Sequence, residues 1–278
     1  MTEKCRPSEV AGSFYEDDKE LLIESIQKYF DSVDDKIIFN ALKQIKSLEL
    51  VMSPHAGYVY SGHVAAYSYK LLFEFLKLKY QTGKQDKNYK VLILAPIHTF
   101  YHKGLCQVNC NCYFTPIGKI NSILLNDKNI SKINFDYSEH SLEVQLPFLQ
   151  YVFKRLNSNF SIIPIYVGEF SEKDIDKYAK VIGDIDCDFI ILSSDLSHFL
   201  SYEHAKTKDN LTINTILNNG NNNYYAIDAC GIYPIMILKQ LSKIKSWKSK
   251  LLNYANSGDI KNTDKKKVVG YGSIIFYK

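Results

Sequence analysis

Three of the seven histidines in this sequence closely follow segments that are typical of buried strands. His55 comes after LELVMS and a proline, His98 comes after KVLILA-Pro-Ile, and FIILS leads through Asp195 to His198. Ligands of open α/β sheets bind beyond the carboxyl ends of the strands, and neutral imidazole is the commonest metal ligand among side chains. We therefore expect these histidines to converge in one cleft that can hold a transition metal, provided that an anionic donor joins them.

Two other segments offer that donor. DYSEHSLEVQLPFLQ contains Glu139, His140 and Glu143, and DACGIYP places Cys230 just before Gly231 at an apparent helix start. A helix dipole stabilises a thiolate at such a position. The alternative for Cys230 is a small, buried apolar residue without a chemical role.

The other cysteines fit a structural role better than a metal site. Cys106, Cys110 and Cys112 have the same parity in LCQVNCNCYF, so they are predicted to share the buried face of one strand. Six cysteines in a chain of 278 residues suit reduced thiols better than a disulfide framework. Three histidines outside the strand ends are predicted to be structural, supporting or exposed: His63, His102 and His204.

Composition excludes several classes of partner. The net charge of +4 comes from 34 basic and 30 acidic residues that are interspersed, which gives no reason to expect nucleic acid or a membrane surface as partner. The amino terminus is charged, and no apolar stretch approaches the length of about 18 residues that a membrane span needs. These features predict a soluble, cytoplasmic protein without membrane insertion.

Apolar strands alternate with helical segments along the chain, which predicts a single α/β domain over residues 1–278. The architecture expected is an αβα sandwich, a mainly parallel central sheet with helices on both faces. The predicted strands are Leu48–Ser53, Lys90–Ala95, Ser161–Val167, Phe189–Ser193 and Val268–Phe276. The predicted helices are Asp17–Phe30, Gly62–Tyr80, Ser171–Gly183, Tyr202–Leu217 and Gly231–Ile244. Two polar segments, Gln81–Asn88 and Asn218–Asn223, are predicted to be surface loops.

Seven segments in order resemble the Memo family: RPSEVAGSFY, PHAGYVYSG, APIHT, EHSLEVQLPFL, SSDLSH, ACGIYP and VVGYGSIIF. They extend from Arg6 to Phe276. That family is similar in fold to the class III non-haem iron extradiol dioxygenases, which hold Fe(II) with two histidines and a glutamate. The resemblance implies that His55 and His98 bind the metal, and that Cys230 stands where the dioxygenases carry the glutamate. It also implies that His198 is an acid/base histidine.

The resemblance implies one iron or copper ion per chain and a redox-active protein, with a small molecule or O2 as the substrate of an oxidoreductase. In this hypothesis His198, Asp195 and His140 act in proton transfer, with Asp195 holding His198. Extradiol ring cleavage is not expected, because a sulfur donor alters the potential of the iron.

The alternative is a signalling adaptor, since family members are described in receptor-tyrosine-kinase signalling and cell motility. Such an adaptor would bind a phosphotyrosine-like peptide in the same pocket, with Tyr58 and Tyr60 as aromatic walls. The absence of an arginine cluster weakens this alternative, because arginine is the usual partner of phosphate groups. A third hypothesis is a metal-free site whose histidines only bond to one another.

Overall fold

A computed structural model describes residues 4–80, 87–134, 139–220, 223–260 and 263–278. Twelve strands and seven α-helices lie within the described residues. The strands are β1 (Cys5–Arg6), β2 (Leu48–Ser53), β3 (Asn88–Pro96), β4 (Leu105–Val108), β5 (Cys112–Thr115), β6 (Gly118–Ser122), β7 (Ile130–Ile133), β8 (Asn159–Val167), β9 (Phe189–Ser193), β10 (His198–Leu200), β11 (Lys248–Asn256) and β12 (Val268–Tyr277). The helices are α1 (Lys19–Asp31), α2 (Asp35–Leu42), α3 (Tyr58–Tyr80), α4 (Leu146–Arg155), α5 (Ile175–Gly183), α6 (Tyr202–Leu217) and α7 (Ile232–Lys245).

The centre of the sheet is parallel and its edges are mixed. Strands β6, β8, β3, β9 and β2 lie side by side in that order, and each neighbouring pair is parallel. Beyond β2, the long strand β12 pairs antiparallel with both β2 and β11. The prediction of an α/β fold is therefore confirmed. Because β2 and β3 flank β9, the carboxyl ends of the three strands that precede His55, His98 and His198 are neighbours.

Both faces of the sheet are covered, which is why its central strands are apolar along their whole length. Successive residues of β9 alternate between the two cores, since Ile191 packs with α1, α3 and α4, whereas Ile190 and Leu192 pack with α5, α6 and α7. The helix predicted at Asp17–Phe30 begins at Lys19, because the Asp18 carboxylate accepts the backbone N–H of Leu21 and caps it. Two layers of helices thus enclose the sheet as expected.

The segment around the clustered cysteines differs from the prediction of one strand. It forms β4 and β5, joined by residues 109–111, where the backbone N–H of Cys110 donates to the carbonyl of Val108 at 2.8 Å. Cys106, Cys110 and Cys112 are buried as predicted. Cys5 of β1 pairs with Cys112 of the adjacent β5 in a disulfide, so the expectation of reduced thiols is wrong for these two residues.

Parts of both predicted surface loops lie outside the described residues, namely 81–86 and 221–222. The end of the first predicted loop, Asn88, instead opens β3. No helix among the described residues is long and apolar enough to cross a membrane.

Candidate metal centre

The sheet brings three potential ligands together. His55 follows β2, His98 follows β3, and Cys230 lies two residues before α7. One donor atom from each of these side chains lies within 4.8 Å of the others. The rings of His55 and His98 are 5.2 Å apart between their centroids. His55, His98 and Cys230 therefore form one cluster, whereas His198 is not among its donors.

His55 is buried, with 2% of its surface exposed, and each of its three nitrogen atoms has a polar neighbour. Its backbone N–H donates to Asp195 Oδ1 at 2.7 Å, its Nδ1 lies 2.8 Å from Ser193 Oγ, and its Nε2 lies 3.1 Å from Cys230 Sγ. Burial lowers the pKa of His55 well below its usual value, and the neighbouring His98 and His140 lower it further. The imidazole is therefore neutral, the form that binds a metal.

His98 is held by the Glu139 carboxylate. Glu139 accepts the backbone N–H of His98 at 2.5 Å and lies 3.1 Å from its Nδ1, and it also accepts the backbone N–H of Ser141 at 3.0 Å. Burial by itself raises the pKa of Glu139, but the hydrogen bonds from His98 and Ser141 outweigh it and hold that pKa well below the usual range. An ionised carboxylate only accepts, so Nδ1 of His98 carries a proton, which in the neutral ring leaves the lone pair on Nε2.

Cys230 differs from the expectation of a stabilised thiolate at a helix start. Its Sγ accepts the backbone N–H of Asp195 at 3.2 Å, and an N–H of Gly231 also favours the thiolate. Burial nevertheless raises the pKa of Cys230, and the Asp195 carboxylate raises it further. The thiol is therefore protonated until a cation replaces its proton. A Cβ on Gly231 would lie 2.6 Å from the Ser194 side chain, so glycine is required here for the close approach.

Asp195 and His198 do not bond to one another as the sequence suggested. Asp195 Oδ1 accepts the backbone N–H groups of His55 and Ala56, and burial raises the pKa of this carboxyl to about 7 although these bonds oppose the shift. His198 instead places Nδ1 at 2.8 Å from the carbonyl of Leu196, and burial lowers its pKa. Asp195 thus fixes the loop that carries His55. The Nδ1 atom of His198 is used by the carbonyl of Leu196, so only its Nε2 atom can contact another group.

His140 forms the outer wall of the cluster. Its ring stacks on His98 at 4.9 Å between centroids, lies 5.5 Å from His55, and packs against Phe14 at 4.5 Å. Burial lowers the pKa of His140 to about 4, although the Glu139 carboxylate opposes the shift. His140 is therefore neutral near pH 7.

The two tyrosines expected as aromatic walls are not equivalent. Tyr58 is 2% exposed and donates its hydroxyl to the carbonyl of Val144, so it belongs to the core. Tyr60 is 44% exposed. The prediction of an aromatic wall is therefore wrong for Tyr58, because its ring packs in the core against Tyr15, Tyr29 and Phe148.

An N-terminal strap, residues 5–15, lies beneath this wall. The Arg6 guanidinium donates to the carbonyl of Glu139 at 2.6 Å and pairs with the Glu143 carboxylate at 2.7 Å, with neither side chain exposed. Glu143 also accepts the backbone N–H groups of Glu9 and Val10 and the hydroxyl of Tyr15. Glu143 therefore anchors the strap instead of serving as a ligand.

The roles of three residues that support the cluster do not follow from the sequence: Glu139, Gln145 and Ser193. By its sequence context Glu139 is a candidate donor to a metal, and Ser193 is the last residue of a predicted strand. Their positions in the sequence could have indicated a role at the site, since Ser193 ends β9 and Gln145 directly precedes α4. Their partners lie far away in the sequence, so their roles follow from packing.

The donor set fits a first-row transition metal. Two imidazoles and a thiolate are nitrogen and sulfur ligands, which suit iron, copper or zinc better than magnesium or calcium. Bonds of about 2.0–2.3 Å to one ion place its ligands up to about 4.6 Å apart, comparable with the 4.8 Å limit that encloses these donors. Both imidazoles also have a partner at Nδ1, as metal-bound histidines usually do.

The fold and this cluster define an α/β protein with a candidate His-His-Cys metal centre at the carboxyl ends of parallel strands. A family model described as "Memo-like protein" matches residues 6–275. A "MEMO1 family protein" of Metallosphaera sedula is 35% identical, over 96% of this chain and 97% of the relative. Proteins with the same description from Archaeoglobus fulgidus and Aquifex aeolicus are 32% and 31% identical, each over 98% of this chain and 99% of the relative. The chain belongs to the Memo family.

Proposed function

We propose that this protein binds one iron or copper ion through His55 Nε2, His98 Nε2 and Cys230 Sγ, and that it is redox-active. The observation that carries the proposal is the convergence of these three donors within 4.8 Å. Each imidazole has a hydrogen-bond partner at Nδ1, and a proton on Nδ1 places the lone pair of the neutral ring on Nε2. Three protein ligands leave coordination positions open for a substrate.

The thiol sets the expected chemistry apart from that of the class III dioxygenases, whose fold we propose this protein shares. An iron or copper ion bound here would supply one-electron chemistry, and a sulfur donor favours copper(I) or alters the iron potential. Extradiol ring cleavage is accordingly not expected. His198 and His140, both neutral near pH 7, are the residues that we propose to move protons, and Asp195 orients the His55 loop.

The test is anaerobic reconstitution of the purified, chelator-treated protein with Fe(II) or Cu(I), followed by desalting and elemental analysis. We expect about one equivalent of iron or copper per chain. Retention of neither metal above the level of a His55→Ala/Cys230→Ser double variant would contradict the proposal. Reversible oxidation and reduction of the loaded protein, followed by its absorption spectrum, tests the redox part.

Replacement of Cys230 by serine is expected to weaken copper(I) binding by at least about 10-fold, since a hydroxyl is a poor ligand for a soft cation. Cys230→Glu restores a carboxylate donor, so it is expected to bind Fe(II) in preference to copper(I). Competition titrations with chromophoric chelators measure both affinities. If Cys230→Ser binds both metals as tightly as the unchanged protein, Cys230 is a packed thiol and not a ligand.

Alkylation gives a second, independent measurement on the same thiol. A metal bound to Cys230 Sγ blocks its reaction, so we expect metal-loaded protein to be alkylated more slowly there than the metal-free form. Cys187 is the matched control, because it is also half-buried and burial raises its pKa to about 12. Equal rates at Cys230 in both forms would count against thiolate ligation.

A further inference from the structure

The hydroxyl of Ser193, at the end of β9, is fully buried and has three polar neighbours. Its Oγ lies 2.6 Å from the carbonyl of Ser141, 2.9 Å from Gln145 Nε2 and 2.8 Å from His55 Nδ1. A hydroxyl has one proton to donate and two lone pairs to accept with. The three contacts therefore use its whole capacity, and each proton can be assigned.

The carbonyl of Ser141 can only accept, so the proton of the Ser193 hydroxyl must point to it. The two other neighbours must then be donors. His55 Nδ1 is one of these neighbours, and as a donor it must carry the proton of the neutral ring.

The orientation of the Gln145 amide agrees with this assignment. Its Nε2 lies 2.9 Å from the carbonyl of Pro54, which only accepts, so this atom is the NH2 group and its second proton is free to reach Ser193. Its Oε1 accepts the hydroxyl of Tyr69 at 2.6 Å. The amide is therefore fixed at both ends and donates to Ser193.

We propose that Ser193 and Gln145 are positioning residues that hold His55 as the Nδ1–H tautomer, so that the lone pair of Nε2 is directed at Cys230 Sγ. The consequence for metal binding rests on the proposed function, whereas the tautomer itself does not. The thiol proton of Cys230 then points to His55 Nε2, 3.1 Å away, and occupies the place that a metal would take. His55 is thus prepared for a metal before one binds.

The same network reaches His98. The backbone N–H of Ser141 donates to Glu139 Oε1, which in turn lies 3.1 Å from His98 Nδ1, while the carbonyl of Ser141 accepts from Ser193. One residue thus links the groups that orient the two imidazoles. A change at Ser193 is therefore expected to disturb both histidines, with the larger effect at His55.

The direct test is the ¹⁵N chemical shifts of the His55 ring in metal-free protein labelled with ¹⁵N-histidine, with signals assigned through His55→Gln. We expect Nδ1 to be protonated and Nε2 unprotonated in the unchanged chain. Ser193→Ala removes the acceptor for Nδ1–H, so a shift of the proton toward Nε2 is expected. Gln145→Leu keeps the hydroxyl, so it should give a smaller shift. A proton on Nε2 in the unchanged chain would overturn the proposal, whether or not the variants fold.

Ser68→Ala is the matched control. Ser68 is another fully buried serine with two hydrogen bonds, to the carbonyl of Met52 and to Ser273 Oγ, and it contacts none of the three ligands. This variant should leave the His55 shifts unchanged. Equal responses to Ser68→Ala and Ser193→Ala would show a general loss of packing and overturn the specific role of Ser193.

Metal affinity supplies the second readout. We expect Ser193→Ala to bind iron or copper about 10- to 100-fold more weakly and Ser68→Ala to bind them unchanged, because loss of a group that orients a ligand usually has an effect of that size. If the unchanged chain shows the Nδ1–H tautomer but takes up neither metal, the proposed function fails, whereas the assignment of the His55 tautomer stands. If the unchanged chain binds metal and Ser193→Ala binds it equally well, the positioning role is refuted and the function stands.

Discussion

Replacement of His98 by alanine is expected to weaken iron or copper binding by at least about 100-fold while the protein remains folded. Loss of a residue that only supports a ligand typically weakens metal binding 10- to 100-fold, so the loss of a ligand should reach the upper end of that range. The fold is expected to survive because the His98 side chain is 28% exposed and contributes little to either core. Elemental analysis after reconstitution measures the first effect, and circular dichroism measures the second.

His55→Ala should remove the metal as well, with a larger loss of stability, because His55 is buried and its hydrogen-bond partners Ser193 and Cys230 would be left without it. His204→Ala is the matched control, since His204 is an exposed histidine in α6 outside the cluster. It should change neither metal content nor stability. Metal content that is unchanged in both His55→Ala and His98→Ala would eliminate the proposed centre.

Arg6→Met is expected to destabilise the protein by about 3 kcal/mol or more, which is the usual consequence of leaving one partner of a buried ion pair without the other. Arg6 and Glu143 are both fully buried and 2.7 Å apart, and Glu143 also binds the backbone of the N-terminal strap. Removal of the guanidinium therefore leaves a buried carboxylate with hydrogen bonds but no counter-charge. Urea unfolding at equilibrium measures the change in free energy.

The double variant Arg6→Met/Glu143→Gln tests the cause. It should be more stable than Arg6→Met alone, since the unpaired charge is removed while a side chain of similar size remains. Lys90→Met is the comparison at the surface. Lys90 Nζ lies 2.5 Å from Asp186 Oδ2 in an ion pair that is exposed to solvent, so this variant should change stability little. If Arg6→Met were as harmless as Lys90→Met, the strap would not depend on this ion pair.

Strand prediction succeeded where local composition alone is decisive. β2 and β9 have the predicted bounds, Leu48–Ser53 and Phe189–Ser193, because both are apolar runs ended by polar residues or proline. β11, Lys248–Asn256, was missed, since its sequence is mixed and it is a strand through its antiparallel pairing with β12. The break between β4 and β5 was missed for a similar reason, because the two strands have different partners: β4 pairs with β7 and β8, and β5 pairs with β1 and β6.

The order of residues alone predicts that the imidazoles of His55 and His98 lie at strand ends, and it offers the thiol of Cys230, at an apparent helix start, as one of several anionic donors. In an α/β protein, a polar residue that directly follows an apolar strand lies at the carboxyl edge of the sheet, where ligands bind. The two histidines converge because β2 and β3 both flank β9, and Cys230 joins them through its contact with Asp195, just after β9.

The hydrogen bonds that hold each donor, and the protonation state of each donor, depend on tertiary packing. The carboxylate that accepts the backbone N–H of His55 lies 140 residues away, and the one that holds His98 lies 41 residues away. Burial raises the pKa of Cys230 although the adjacent helix start favours the thiolate. Hydrogen bonds and desolvation depend on distances of a few ångströms between segments that are remote in the chain, and the order of residues does not specify such distances until the sheet and both helix layers have packed.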